Sequence, residues 1–146
     1  MEQIHLGDQI IRYDRKRTRT AYARMKYGSA ERCGCPYCQN FVAQRSTVYP
    51  EKFRLLLDQL GIGADKEGDV HEDGPQGSLG QYGGWFYLAG ELTETGERMT
   101  DAGPGFQYFF RTSHRPTALG DFDEEVLALE FSTKLPWVIS EQPDSS

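Results

Sequence analysis

The chain has no long hydrophobic run. Nothing in its 146 residues approaches the roughly 20 consecutive apolar positions that a membrane-crossing helix needs. The opening residues, Met1-Glu2-Gln3-Ile4-His5, supply neither a basic n-region nor an apolar h-region, so a secretory signal is not expected and the cytoplasm is. Cysteine is scarce: there are 3, all between positions 33 and 38. An odd number in a reducing compartment excludes a disulfide framework and turns attention to metal or thiol chemistry. Histidine is also scarce, with only His5, His71 and His114, and none is paired with Ser or Cys in a hydrolase pattern. There is no G-x4-G-K phosphate loop and no calcium-loop spacing.

Aromatic residues are plentiful by contrast. There are 8 Phe, 8 Tyr and 2 Trp within a hydrophobic content of 38%, which suits a small, aromatic-rich core. The length fits one α+β domain over about residues 1–140, followed by a polar tail from Glu141 to Ser146. Net charge is -6 but unevenly spread: residues 1–60 hold 11 Lys+Arg against 6 Asp+Glu, and residues 61–146 hold 5 against 16. The two halves are expected to pack together and neutralise one another.

Short strands are predicted at Ile4–Leu6 and Gln9–Tyr13. Asp14 is a good N-cap for a helix over about 15–27, with Thr18, Ala21, Tyr22 and Met25 on one face and Gly28 as its stop. Pro36 opens a second helix that Ser46-Thr47 is expected to break. Pro50 opens a third, whose buried stripe is Phe53, Leu56, Leu57 and Leu60; Gly61 ends it, and Ile62 folds back on Leu57. The acidic, glycine-rich stretch 63–84 reads as loop, with a short strand near Val70. Strands follow over Trp85–Gly90, Phe106–Phe110 and Leu127–Phe131, the last leaving Glu130 outward. Helices first and strands later indicate α+β: N-terminal helices packed on a C-terminal antiparallel β-sheet.

The chemistry concentrates in Cys33-Gly34-Cys35-Pro36-Tyr37-Cys38. Three thiolates within six positions suit zinc, which prefers sulfur donors in structural sites and takes four ligands. The fourth must come from elsewhere, and His71, on an acidic stretch that can reach back, is the candidate ahead of His5 and His114. A second reading is redox. Cys35-Pro36-Tyr37-Cys38 is similar to the dithiol motif of glutaredoxins, and a cysteine at a helix N-terminus has a favoured thiolate, so Cys35 would attack and Cys38 resolve. The residues before the motif, 27–32, cannot be the buried strand that glutaredoxins place there, and their Thr-Val-Pro turn is missing, so the match is coincidental as to fold. The third reading is inert packing, since free cysteine behaves as a small buried hydrophobe.

A wider set of residues adds a resemblance. Tyr13-Asp14, Thr18, Ala21-Tyr22-Ala23, Cys33-Gly34-Cys35-Pro36 with Asn40-Phe41, Leu60-Gly61-Ile62, Tyr82-Gly83-Gly84-Trp85 and Leu135-Pro136-Trp137-Val138 together resemble a group of small uncharacterised bacterial proteins. The resemblance implies one architecture holding both the thiol cluster and the Gly-Gly-Trp strand. It brings no activity with it.

Arg15, Lys16 and Arg19 lie in a basic stretch running from Arg12 to Lys26. It is either a solvated helix face or a surface for an acidic protein partner; the overall acidity opposes nucleic acid. Trp85, Tyr87, Phe106, Tyr108, Phe109 and Phe110 either line a pocket or form core, and core is the commoner fate of strand aromatics. Asp121, Asp123, Glu124 and Glu125 read as a solvated turn rather than a hard-metal site. The expectation is a binding or regulatory module with a structural zinc held by Cys33, Cys35 and Cys38. The alternatives are a dithiol redox protein and a basic-helix partner-binding domain.

Overall fold

In the computed structural model, which describes residues 1–26, 28, 30, 33, 35–76, 79–113 and 126–139, the chain begins with a hairpin. Strand β1 (Glu2–Leu6) turns at Gly7-Asp8 into β2 (Gln9–Tyr13). Asp14 then caps α1 (Arg15–Ala23), its carboxylate accepting the Arg17 N–H at 3.0 Å. The helix buries Thr18, Ala21 and Tyr22, as its periodicity predicts, but stops four residues earlier than Gly28 would have it. Its last carbonyls are taken by other partners: Arg24 and Met25 bond back in tight turns, and Lys66 Nζ donates to the Tyr22 carbonyl at 3.1 Å.

Helix α2 (Pro36–Val48) runs through Ser46-Thr47, where a break was predicted. Two features carry it on. Thr47 Oγ1 donates to the Gln44 carbonyl at 3.0 Å, so its hydroxyl joins the helix instead of competing with it. The Arg54 guanidinium then donates to the carbonyls of Ser46 and Tyr49, filling acceptors that a helix end leaves open. Helix α3 (Glu51–Leu60) forms as predicted: Phe53, Leu56, Leu57 and Leu60 are buried. Gly61 caps it in the left-handed region at φ +84°, and Ile62 N–H bonds to the Leu57 carbonyl at 2.9 Å.

Residues 63–68 are loop and Val70 lies in a strand, as predicted, but most of the stretch from 69 to 84 is sheet. Strands β3 (Asp69–Gln76) and β4 (Leu79–Glu94) pair antiparallel, with Gly80, Gly83 and Gly84 inside β4. These glycines answer close approach rather than turning. A side chain at Gly84 would stand 2.4 Å from the Asp69 carbonyl and 2.9 Å from the Phe131 ring. A short strand, β5 (Thr100–Gly103), unseen in the sequence, precedes β6 (Phe106–Ser113) and β7 (Val126–Pro136).

The seven strands make one antiparallel sheet: six in the order β1-β2-β4-β7-β6-β5, with β3 pairing β4 off that path. β4 is its spine, 16 residues long. One edge pairs with β7 from Leu79 to Ala89; the other takes β3 along the first half of the strand and β2 along its last residues. The far ends of the sheet also meet. Asp8 accepts the N–H groups of Glu97 and Arg98, and the buried Gln9 amide makes two bonds to Phe110 of β6, at 2.8 and 2.9 Å.

The helices lie on one face of this α+β fold. That face presents Tyr82, Phe86 and Leu88 of β4, Leu127, Leu129 and Phe131 of β7, and Phe106, Tyr108 and Phe110 of β6. Against them α2 and α3 place Phe41 and Phe53, and Tyr49 lies between these helices in the chain. Phe53 and Phe106 stand 4.7 Å apart by ring centroid, Tyr49 and Phe131 5.4 Å, and Phe106 stacks on Phe131 with 6° between planes. Each fully buried ring contributes about 1.5–3 kcal/mol of transfer free energy. On the opposite face Trp85, Tyr87 and Phe109 are half-buried, and Glu130 points outward as predicted, bonding Arg111 at 2.7 Å. No described helix is long and apolar enough to cross a membrane.

Candidate metal centre

The thiol site is built at the N-terminus of α2. Pro36 occupies the first turn, where its missing N–H costs nothing, and fixes the backbone for the helix. Cys35 is the N-cap, in extended conformation, and its Sγ accepts the Cys38 N–H at 3.4 Å. A sulfur therefore fills the place that Ser or Asp usually takes. Cys38 lies one helical turn on, buried, while Cys35 is half-buried. Cys33 approaches from the preceding segment and is exposed.

The three Sγ atoms all lie within 4.8 Å of one another. A tetrahedral zinc with bonds of about 2.3 Å needs its sulfurs roughly 3.8 Å apart. Small side-chain rotations close that difference, so the donor set fits a thiophilic ion. Among the described residues, no His, Asp or Glu donor shares this group with the three sulfurs.

The site also differentiates its thiols. The Cys35 backbone N–H donates to Cys33 and holds its thiol below the ordinary range, with bonds from the Cys35 and Cys38 thiols adding to the effect. Burial pushes the Cys38 thiol far up, and its hydrogen bonds with Cys33 and Cys35 push the same way.

Around the sulfurs the helix is locked to the sheet. Asn40, fully buried, donates to the Pro136 carbonyl at 3.0 Å and to Tyr82 Oη at 3.3 Å, and accepts the Val138 N–H at 2.8 Å. Tyr82 Oη donates onward to the Tyr37 carbonyl at 3.0 Å. Gln44 adds a second bond to Pro136 at 2.9 Å, and Tyr37 meets Trp137 edge-on. Residues 136–138 thus brace α2 over the two turns that carry Cys38.

In comparisons with known proteins, no family model, curated sequence or solved structure matches the chain.

The residues singled out in the sequence fall into three groups. Cys33, Cys35 and Cys38 come together. His71 does not join them: its register opposite Gly83 puts it on the face of the sheet away from Tyr82 and α2, and its Nδ1 stands 3.0 Å from the Asp73 carboxylate. His5 lies exposed on β1. His114, the acidic group Asp121, Asp123, Glu124 and Glu125, and the tail from Glu141 to Ser146 lie outside the described residues.

In the basic stretch, Arg12 pairs with Glu91 at 3.2 Å and Arg15 donates to the Asp58 carbonyl at 3.2 Å. Lys16 and Arg19 are exposed. Of the strand aromatics, Phe106, Tyr108 and Phe110 are core, while Trp85, Tyr87 and Phe109 are on the other face. Sequence reasoning missed Gln9, Asn40 and Glu67, three polar side chains that are almost wholly buried. Only Asn40, two residues beyond the thiol motif, carried any signal.

Proposed function

We propose that Cys33, Cys35 and Cys38 hold a structural zinc, and that the protein is a cytoplasmic, non-enzymatic binding or regulatory module. The ion would tie the segment before α2 to the helix itself, and its binding free energy would add directly to folding. One observation carries this reading: three cysteine sulfurs within 4.8 Å at the opening of a helix that is itself locked to the sheet. Zinc would displace the thiol protons, so affinity falls as pH falls.

The test is the metal content of protein purified without chelators, followed by melting with and without a strong chelator. About one zinc per chain is expected, together with a stabilisation of about 2.7 kcal/mol at a free-zinc concentration 100 times Kd. Cys38→Ala should abolish both. Metal-free protein whose melting ignores the chelator would refute the reading.

A second, redox reading moves the attacking role from Cys35, where the sequence suggested it, to Cys33, on the exposure of Cys33 and its lowered thiol pKa, with Cys38 buried and raised. With a peroxide as oxidant, the Cys33 thiolate would take one peroxide oxygen, forming a sulfenic acid and releasing hydroxide. The Cys35 thiol would then displace that oxygen as water, leaving a disulfide.

A further inference from the structure

One carboxylate far from the surface bonds to the chain on both sides of the thiol motif. Glu67 lies in the connection between α3 and β3 and is 0% exposed. Its Oε1 accepts the Ala30 N–H at 3.1 Å, three residues before Cys33. The same oxygen takes Arg45 Nη2 at 2.7 Å, from the helix that Cys35 caps and Cys38 joins. Gly28 packs directly on the carboxylate: a Cβ there would stand 2.6 Å from either oxygen and 2.7 Å from the Asp65 carbonyl. The connection that carries Glu67 is pinned in turn, with Gly68 N–H bonded to the Trp85 carbonyl at 2.7 Å and Lys66 to the Tyr22 carbonyl.

A buried ion pair seldom adds net stability, because desolvating two charges offsets their attraction. Its better-attested use is to fix register, and here it joins Ala30, ahead of the thiols, to Arg45, beyond them. α2 is anchored through Asn40 and Gln44, and the Ala30 bond to Glu67 adds a tie ahead of Cys33.

We infer that Glu67 is the positioning residue of the thiol site, one buried carboxylate that holds the Cys33 arm and the Cys35–Cys38 helix turn at metal-binding distance. This rests on the reading of the cysteines as metal ligands. Glu67 supplies no ligand atom; it acts through Ala30 and Arg45.

The test is a cobalt titration of the full chain, in which sulfur-to-cobalt charge-transfer absorbance counts bound thiolates. Two variants are needed. Glu67→Gln keeps the size and removes the charge, but leaves Arg45 without it and stands to lose stability. Glu67→Leu with Arg45→Leu replaces the pair by apolar side chains and is expected to keep the fold. In the double variant, cobalt affinity should fall at least tenfold and charge-transfer intensity by about one third, with the melting temperature of the metal-free protein little changed. Cys33→Ser alone should show the same two-thiolate spectrum, and adding the Glu67 change to it should cost little more.

Wild-type affinity and intensity in the double variant, or losses fully additive with Cys33→Ser, would overturn the inference. If the wild type binds neither cobalt nor zinc, the metal reading fails separately. The positioning claim is then decided on the metal-free protein. Faster amide exchange at Ala30 in the double variant, by tenfold or more and with α2 unchanged, supports it, and unchanged exchange overturns it.

Discussion

The aromatic core under the sheet and the thiol site at its margin are held in opposite ways. In the core, Phe53 alone meets Tyr49, Phe86, Phe106, Tyr108 and Phe131 at ring-centroid distances of 4.7–6.3 Å. Such contacts are non-directional and redundant, so loss of any one is shared among many. The thiol site depends on single directed bonds: Cys35 Sγ to the Cys38 N–H, Asn40 to Pro136, Glu67 to Ala30 and Arg45. Redundancy sets stability, whereas directed bonds set the geometry in which three sulfurs meet.

The sharpest way to break this contrast is to attack the core and ask whether the site notices. Phe53→Ala should cost about 3–5 kcal/mol in urea unfolding, yet leave the zinc content of the folded fraction unchanged. Asn40→Ala should come next, at roughly 2–3 kcal/mol from several directed bonds lost at once, and unlike the core variant it should also weaken zinc binding. Stability and zinc affinity moving in parallel across both variants would erase the distinction.

Within the site, Cys33 and Cys38 are expected to part company. In chelated protein at pH 7, iodoacetamide should modify Cys33 well before Cys38, because one thiol is exposed and lowered while the other is buried and raised. Mass mapping of the first adduct reads the order directly, and labelling of Cys38 first would contradict the geometry.

The smallest effect concerns Asp8. The Glu97 N–H chiefly, and the Arg98 N–H with it, hold its carboxyl below the ordinary 3.8. A lowered folded-state value means that its contribution is present above that ordinary value and is lost as pH falls through the lowered one. Asp8→Asn should therefore flatten the acid limb of the stability profile below about pH 3.8.

Local, periodic features were legible in the sequence. The stripe of α3, its Gly61 stop, the Asp14 cap, the inward alternation of β7 and the thiol cluster each follow from residues close in the chain. What was not legible depends on neighbours far apart. Gly83 and Gly84 look like turn residues until His71, Asp69 and Phe131 are placed against them. Ser46-Thr47 looks like a break until Arg54 takes up the carbonyls beyond. Glu67 sits among solvated acids with nothing to mark it, because its burial comes from Ala30 and Arg45, 37 and 22 residues away.

The Gln9 amide has a consequence for association between chains. β5 covers only the first part of β6, so the backbone N–H and carbonyl of Phe110 on that side pair with no β5 residue. Gln9 presents one acceptor and one donor to those two groups and so imitates the rung a foreign strand would have supplied. A flat, apolar edge is the usual template for self-association. Here a buried amide occupies that rung, and an alanine at that position would remove both of its bonds to the most aromatic strand of the molecule.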